Sequence, residues 1–102
     1  MNATRYDRRV IASFADRDTE SLFRGRRSRR LPFDIQRRAH RKLVMLHAAT
    51  ELNDLRSPPG NRLEALAGSR AGQFSIRINE QWRICFRWID SNAYDVEVAD
   101  YH

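Results

Sequence analysis

Apolar and polar residues alternate along the last third of the chain, and that alternation predicts a sheet. In Gln73-Phe74-Ser75-Ile76-Arg77-Ile78 every second position is apolar, the period of a strand with one buried and one wet face. Trp82, Ile84, Phe86 and Trp88 continue the rhythm on one face, while Arg83, Cys85, Arg87 and Ile89 share the other, and Val96 and Val98 extend the apolar face onto a third strand. Asn79-Glu80 and Asp90-Ser91-Asn92-Ala93 are the two turns. Upstream the period changes. Ile35, Ala39, Leu43 and Leu46 recur at helical spacing after Pro32, with Arg37, Arg38 and Arg41 on the opposite side. Asp16, followed by Asp18 and Glu20 and stopped at Gly25, predicts a shorter first helix. Val10 to Phe14 is an apolar, β-branched run long enough for one added strand. Leu52 and Leu55 pack a short turn, Ser57-Pro58-Pro59-Gly60-Asn61 breaks regular structure, and Leu63 and Leu66 anchor the segment leading into the sheet. The layout is α+β, in the order β-α-α-β-β-β, with an antiparallel sheet mixed at one edge and two N-terminal helices on one face. One arginine-bearing face is left over.

Length and composition narrow this further. The 102 residues suffice for a single domain. We assign it to residues 10–102, with 1–9 a loosely held extension. The formal charge is +6, and every basic residue but Lys42 is an arginine, the side chain whose planar fork grips phosphate in two places. Between Arg24 and His47 nine basic residues face one acid, Asp34. A surplus concentrated in one segment points to a polyanion partner, although such runs also occur as solvated helix faces. The single cysteine rules out an internal disulfide and gives no support for a cysteine-based metal site. His40 and His47, without a carboxylate or thiol partner, are poor metal ligands, and no cofactor is implied. No stretch approaches the roughly 20 apolar residues of a membrane span, and the N-terminus has no secretory core. A cytoplasmic protein is expected.

The stretch Arg62-Leu63-Glu64-Ala65-Leu66, then Gly68, then Arg70 to Asn79, then Gln81-Trp82-Arg83-Ile84-Cys85-Phe86, together with Asp95-Val96-Glu97 and the closing Asp100-Tyr101-His102, resembles the HigB branch of the RelE/ParE toxin superfamily. With Ser13-Phe14-Ala15-Asp16 the likeness spans about Ile11 to His102. The resemblance implies a toxin of a type II toxin-antitoxin system, a ribosome-dependent, metal-independent endoribonuclease that cuts messenger RNA in the A site and arrests growth. It also implies a HigA-type helix-turn-helix antitoxin as partner, with operator DNA reached only through that antitoxin.

Such cleavage requires a base for the 2′-hydroxyl, cations for the phosphate and an acid for the leaving 5′-oxygen. Arg83 is the first candidate for the phosphate, with Arg77 and Arg87 as neighbours on its face. His102, of the side-chain class that ordinarily titrates near neutrality, is the leading acid or base. Asp100 would orient it, and Tyr101 would hydrogen-bond the phosphate or stack on a base. Family members carry a histidine and a lysine where this chain has Glu64 and Ala67; glutamate can replace a base but brings no positive charge, Arg62 and Arg70 are the remaining loop cations, and the resemblance therefore implies the same reaction with a different division of labour or a weakened enzyme. Arg37, Arg38 and Arg41 are candidates for RNA or ribosome contact. Two other classes compete: a gyrase-poisoning ParE-like toxin, and a non-catalytic ribosome- or RNA-binding module. The bland alternative for Arg83 is an ion pair with Glu97 across the strands.

Overall fold

The computed structural model describes residues 9–101, so the expected extension over 1–9 lies almost wholly outside the described residues. Helix α1 (Arg17–Phe23) begins where Asp16 accepts a hydrogen bond from the Thr19 amide at 2.7 Å, with Asp18 and Glu20 in the first turn. It ends at Gly25, whose φ of 83° lets the Arg26 amide reach back to the Ser21 carbonyl at 2.8 Å. Helix α2 (Phe33–Ala48) buries Ile35, Ala39, Leu43 and Leu46, as its spacing predicts, and also Gln36. That amide is fully engaged with the connector: it donates to the Ser28 and Leu31 carbonyls at 2.7 and 2.8 Å and accepts from the Ser28 amide at 3.1 Å.

After two short 3-10 turns (Leu52–Arg56 and Pro59–Asn61) come β1 (Glu64–Ala65), a third such turn (Gly68–Arg70), β2 (Phe74–Arg77), β3 (Trp82–Ile89) and β4 (Asn92–Asp100). They form an antiparallel sheet in the order β1-β2-β3-β4. Strand β1 is an addition to the predicted layout. Asp90 and Ser91, with φ of 50° and 66°, make the tight two-residue turn whose twist suits a hairpin. Between β2 and β3 the Asn79 side chain accepts from the Gln81 and Trp82 amides at 2.8 and 2.7 Å, so the turn closes without an Asn-Gly pair.

The strand predicted over Val10 to Phe14 is reduced to two isolated parallel bridges, Ile11 with Ala93 and Phe14 with Val96. The cause lies in β4, where the register slips opposite the stretch between Cys85 and Arg87 and Asp95 takes a left-handed φ of 54°. This is a bulge. Its Asp95 amide leaves the ladder and donates to the Ser13 hydroxyl at 2.9 Å, which breaks the run of backbone pairs along this edge. These two bridges are parallel, whereas the four strands of the sheet itself are all antiparallel.

Both helices cover one face of the sheet. Leu22, Ile35, Leu43 and Leu46 meet Ile76, Ile84, Phe86, Val96 and Val98, with Trp82 and Trp88 packed at the border. The other face is left open, apart from a small apolar floor of Leu66, Cys85 and Ala99.

Candidate active site

Register decides which side chains share the open face. Glu64 pairs with Ser75, Ser75 with Cys85, Arg77 with Arg83, Arg83 with Ala99 and Cys85 with Glu97. Directly opposed residues project to the same side. Arg83 lies near the centre and is only 8% exposed. Its Nε donates to the Ser75 hydroxyl at 2.7 Å and its Nη2 to the Arg62 carbonyl at 2.6 Å. Arg62 itself has a left-handed φ of 46°, at the end of the turn after the two prolines. Glu64 Oε1 lies 3.8 Å from Nη2, and the Tyr101 ring sits with its centroid 5.8 Å from the guanidinium carbon. Among the described residues Nη1 has no hydrogen-bond partner. A buried, immobilised guanidinium with one unspent edge is a preorganised anion site.

Arg70 supplies a second cation. Its Nη1 donates to Gln73 Oε1 at 2.9 Å and to Glu97 Oε1 at 3.2 Å. Burial works against its charge, but its partners, the Glu97 carboxylate first among them, outweigh burial and hold it above the ordinary guanidinium value. Glu97 is thus taken by Arg70, and the ion pair weighed for Arg83 with Glu97 does not form. Burial pushes the Cys85 thiol up, against the pull of Arg70, so it remains a protonated filler of the floor.

The structure brings together Arg83, Glu64, Tyr101, Arg70 and the backbone of Arg62. Other expected neighbours are elsewhere. Asp100 pairs with Trp82 and accepts from Gln81 Nε2 at 3.1 Å, so strand alternation turns it to the face opposite Ala99. Arg77 is opposite Arg83 in register, but its Nε donates to the Asn79 carbonyl at 3.1 Å and its side chain lines a cleft of about 490 Å³ with Arg38, Arg41 and Lys42. There burial, and then Arg41 and Arg38, lower the Lys42 ammonium. Arg87 lies 3.5 Å from Asp95, and its Nη1 would come within 3.0 Å of a Cβ placed on Gly72. Arg37 lines a different cleft between the helices. His102 lies outside the described residues. Sequence reasoning missed Ser75 and the Arg62 carbonyl. Ser75 was readable from the alternation, as the polar residue between Phe74 and Ile76, whereas a backbone acceptor has no sequence signal.

Two helices on one side of a small antiparallel sheet, and a pinned arginine on the other, define a RelE-like toxin fold. The YoeB–YefM complex from Staphylococcus aureus shares it, with a TM-score of 0.56 over 90% of this chain and 97% of that one, at 17% identity. The family described as "RelE-like toxin of type II toxin-antitoxin system HigB" matches residues 12–102, and the chain belongs to that family. Toxin HigB-1 of Vibrio cholerae serotype O1 is 43% identical over 85 residues, covering 82% of this chain and 90% of that protein. Endoribonuclease HigB of Proteus vulgaris is 31% identical over 93 residues, covering 91% of this chain and 100% of that one.

Proposed function

We propose that this toxin is an endoribonuclease that cuts messenger RNA in the ribosomal A site, with the face around Arg83 as its active site. The observation that carries the proposal is Arg83 itself, buried and tied down at Nε and Nη2 with Nη1 unspent. Burying an arginine beside a half-exposed carboxylate is a poor stabilising device, but it makes a rigid cradle for a phosphodiester. Glu64, 3.8 Å from Arg83, takes the proton of the 2′-hydroxyl. The 2′-oxygen then attacks the adjacent phosphorus, a P–O2′ bond forms and the P–O5′ bond breaks, leaving a 2′,3′-cyclic phosphate. Arg83, with Arg70 behind it, stabilises the charge that builds on the phosphoryl oxygens. The departing 5′-oxygen receives its proton from His102, whose imidazole belongs to the one side-chain class that ordinarily titrates near neutrality. Tyr101 stacks on a neighbouring base. Arg38, Arg41, Lys42 and Arg77 hold RNA phosphates in the second cleft.

The test is mapping of messenger 5′ ends after induced expression, with translation running and with translation blocked. Cuts within codons that vanish when translation stops are expected, and Arg83→Ala should lower cleavage about 100- to 1,000-fold. Growth arrest with intact messages and damaged DNA would instead select the gyrase-poison class.

A further inference from the structure

A cleft of about 700 Å³ belongs to neither the Arg83 face nor the Lys42 cleft. It opens between the end of α1 and the first half of α2, in the helical layer on the far side of the sheet. Leu22 and His40 contribute to its lining, and Phe33, 72% exposed, stands at its edge. His40 Nδ1 donates to the Leu22 carbonyl at 2.7 Å and fixes the two helices across it. The Arg27 guanidinium lies over the Phe33 ring, 5.2 Å from its centroid. Phe33, Arg37, His40 and Val44 follow one stripe of α2, and Val44, farther along it, is 46% exposed. A solvent-facing phenylalanine leading into a mostly apolar cleft is what a docking surface looks like before its partner arrives.

The charge around it selects the partner. Arg24 and Arg30 nearby are paired with Glu20 and Asp18. By contrast Arg26, Arg27 and Arg37, which line the cleft, have no carboxylate partner among the described residues, and the only acid in the lining is Asp34. We propose that this cleft receives an acidic segment of the cognate antitoxin, seating a bulky apolar side chain beside Phe33 and carboxylates against Arg26, Arg27 and Arg37. An exposed phenylalanine beside arginines that have no carboxylate partner among the described residues suits a peptide that carries both an apolar side chain and carboxylates, and the cleft's place in the helical layer leaves the Arg83 face open. The proposal rests on membership of a toxin-antitoxin family and not on the nuclease reading.

Binding of full-length toxin to its antitoxin by calorimetry, with growth assays in parallel, tests it. Phe33→Ala and the pair Arg26→Glu with Arg27→Glu should each weaken antitoxin binding roughly 30- to 100-fold. The charge-reversed pair should also lose most of the salt dependence of binding, and Phe33→Leu should recover much of the affinity. All these toxins should still arrest growth when expressed alone, and antitoxin should no longer rescue the Phe33→Ala and charge-reversed cells. Wild-type affinity in both variants overturns the proposal. So does loss of arrest in the absence of antitoxin, which would assign the cleft to the RNA or the ribosome. Failure of the nuclease reading would appear only in the message-end mapping.

Discussion

Ser75 is a small buried residue, yet its hydroxyl decides which edge of Arg83 is spent on the fold and which remains for a ligand. Ser75→Ala leaves the buried Nε–H unsatisfied, at a cost of about 1–3 kcal/mol. It also frees the guanidinium to rotate, and we expect cleavage to fall about tenfold or more in kcat with little change in KM. Arg83→Lys should be nearly as damaging as Arg83→Ala. A point charge on a flexible stem cannot serve the Ser75 hydroxyl, the Arg62 carbonyl and a phosphate at once. Single-turnover cleavage by the two variants checks this, and a lysine variant with near-normal rates would show that charge alone suffices. Glu64→Gln keeps size and polarity but accepts no proton at neutral pH. If Glu64 is the base, the loss is about 100-fold or more in rate with the cut sites unchanged.

At the scale of the element, long periodic runs were legible and short or locally strained pieces were not. The alternation from Trp82 to Trp88 and the spacing of Ile35, Ala39, Leu43 and Leu46 repeat often enough for the core-facing side to be read directly. Strand β1 is two residues long and has no period to detect. The bulge at Asp95 depends on one left-handed aspartate, an ordinary residue in sequence, and that bulge divides the expected N-terminal strand into two bridges. Asp100 was expected to orient His102, which lies outside the described residues, and alternation in β4 places Asp100 on the side of Trp82, away from Ala99. The same logic makes elements separable by experiment. Leu43, wholly buried in α2, should cost about 2–5 kcal/mol when cut to alanine. Asp54 accepts from the Glu51 and Thr50 amides and the Thr50 hydroxyl, hydrogen bonds that hold its carboxyl below the ordinary 3.8. A depressed carboxyl contributes stability that is present above the unfolded value and lost as pH falls through the folded one. Asp54→Ala should therefore lower the urea midpoint at neutral pH, and the gap from the parent should close below pH 3.8. A gap that persists unchanged in acid would assign the effect to something other than the carboxylate.

Across the whole molecule the cationic surplus is divided rather than uniform, which the run of arginines in the sequence conceals. Successive helical residues are turned by about 100°, so Arg37 faces the cleft beside Phe33 while Arg38 and Lys42 face the cleft that Arg77 closes. Two basic surfaces on one helix imply two separable salt dependences. Arg38 donates to the Ile78 carbonyl at 3.2 Å, tying α2 to the end of the β2–β3 hairpin. Lys42 donates to Asn61, a wholly buried residue that itself donates to the Leu55 and Ser57 carbonyls. Glu80 also lines that cleft, 4.0 Å from Arg77, and cations there that neutralise RNA phosphates release the counterions condensed on the RNA. If Arg41 and Arg77 each meet one phosphate, the doubly substituted Arg41→Gln, Arg77→Gln toxin should bind RNA or ribosomes with a salt slope shallower by about 1.4–1.8, at roughly 0.7–0.9 per contact. Its affinity for antitoxin should stay at the parent value, because the cleft beside Phe33 is untouched. Binding titrations across a range of salt with both partners measure the two slopes. A parallel loss in both would mean that one continuous surface serves the two ligands, and an unchanged RNA slope would remove the Lys42 cleft from the RNA path.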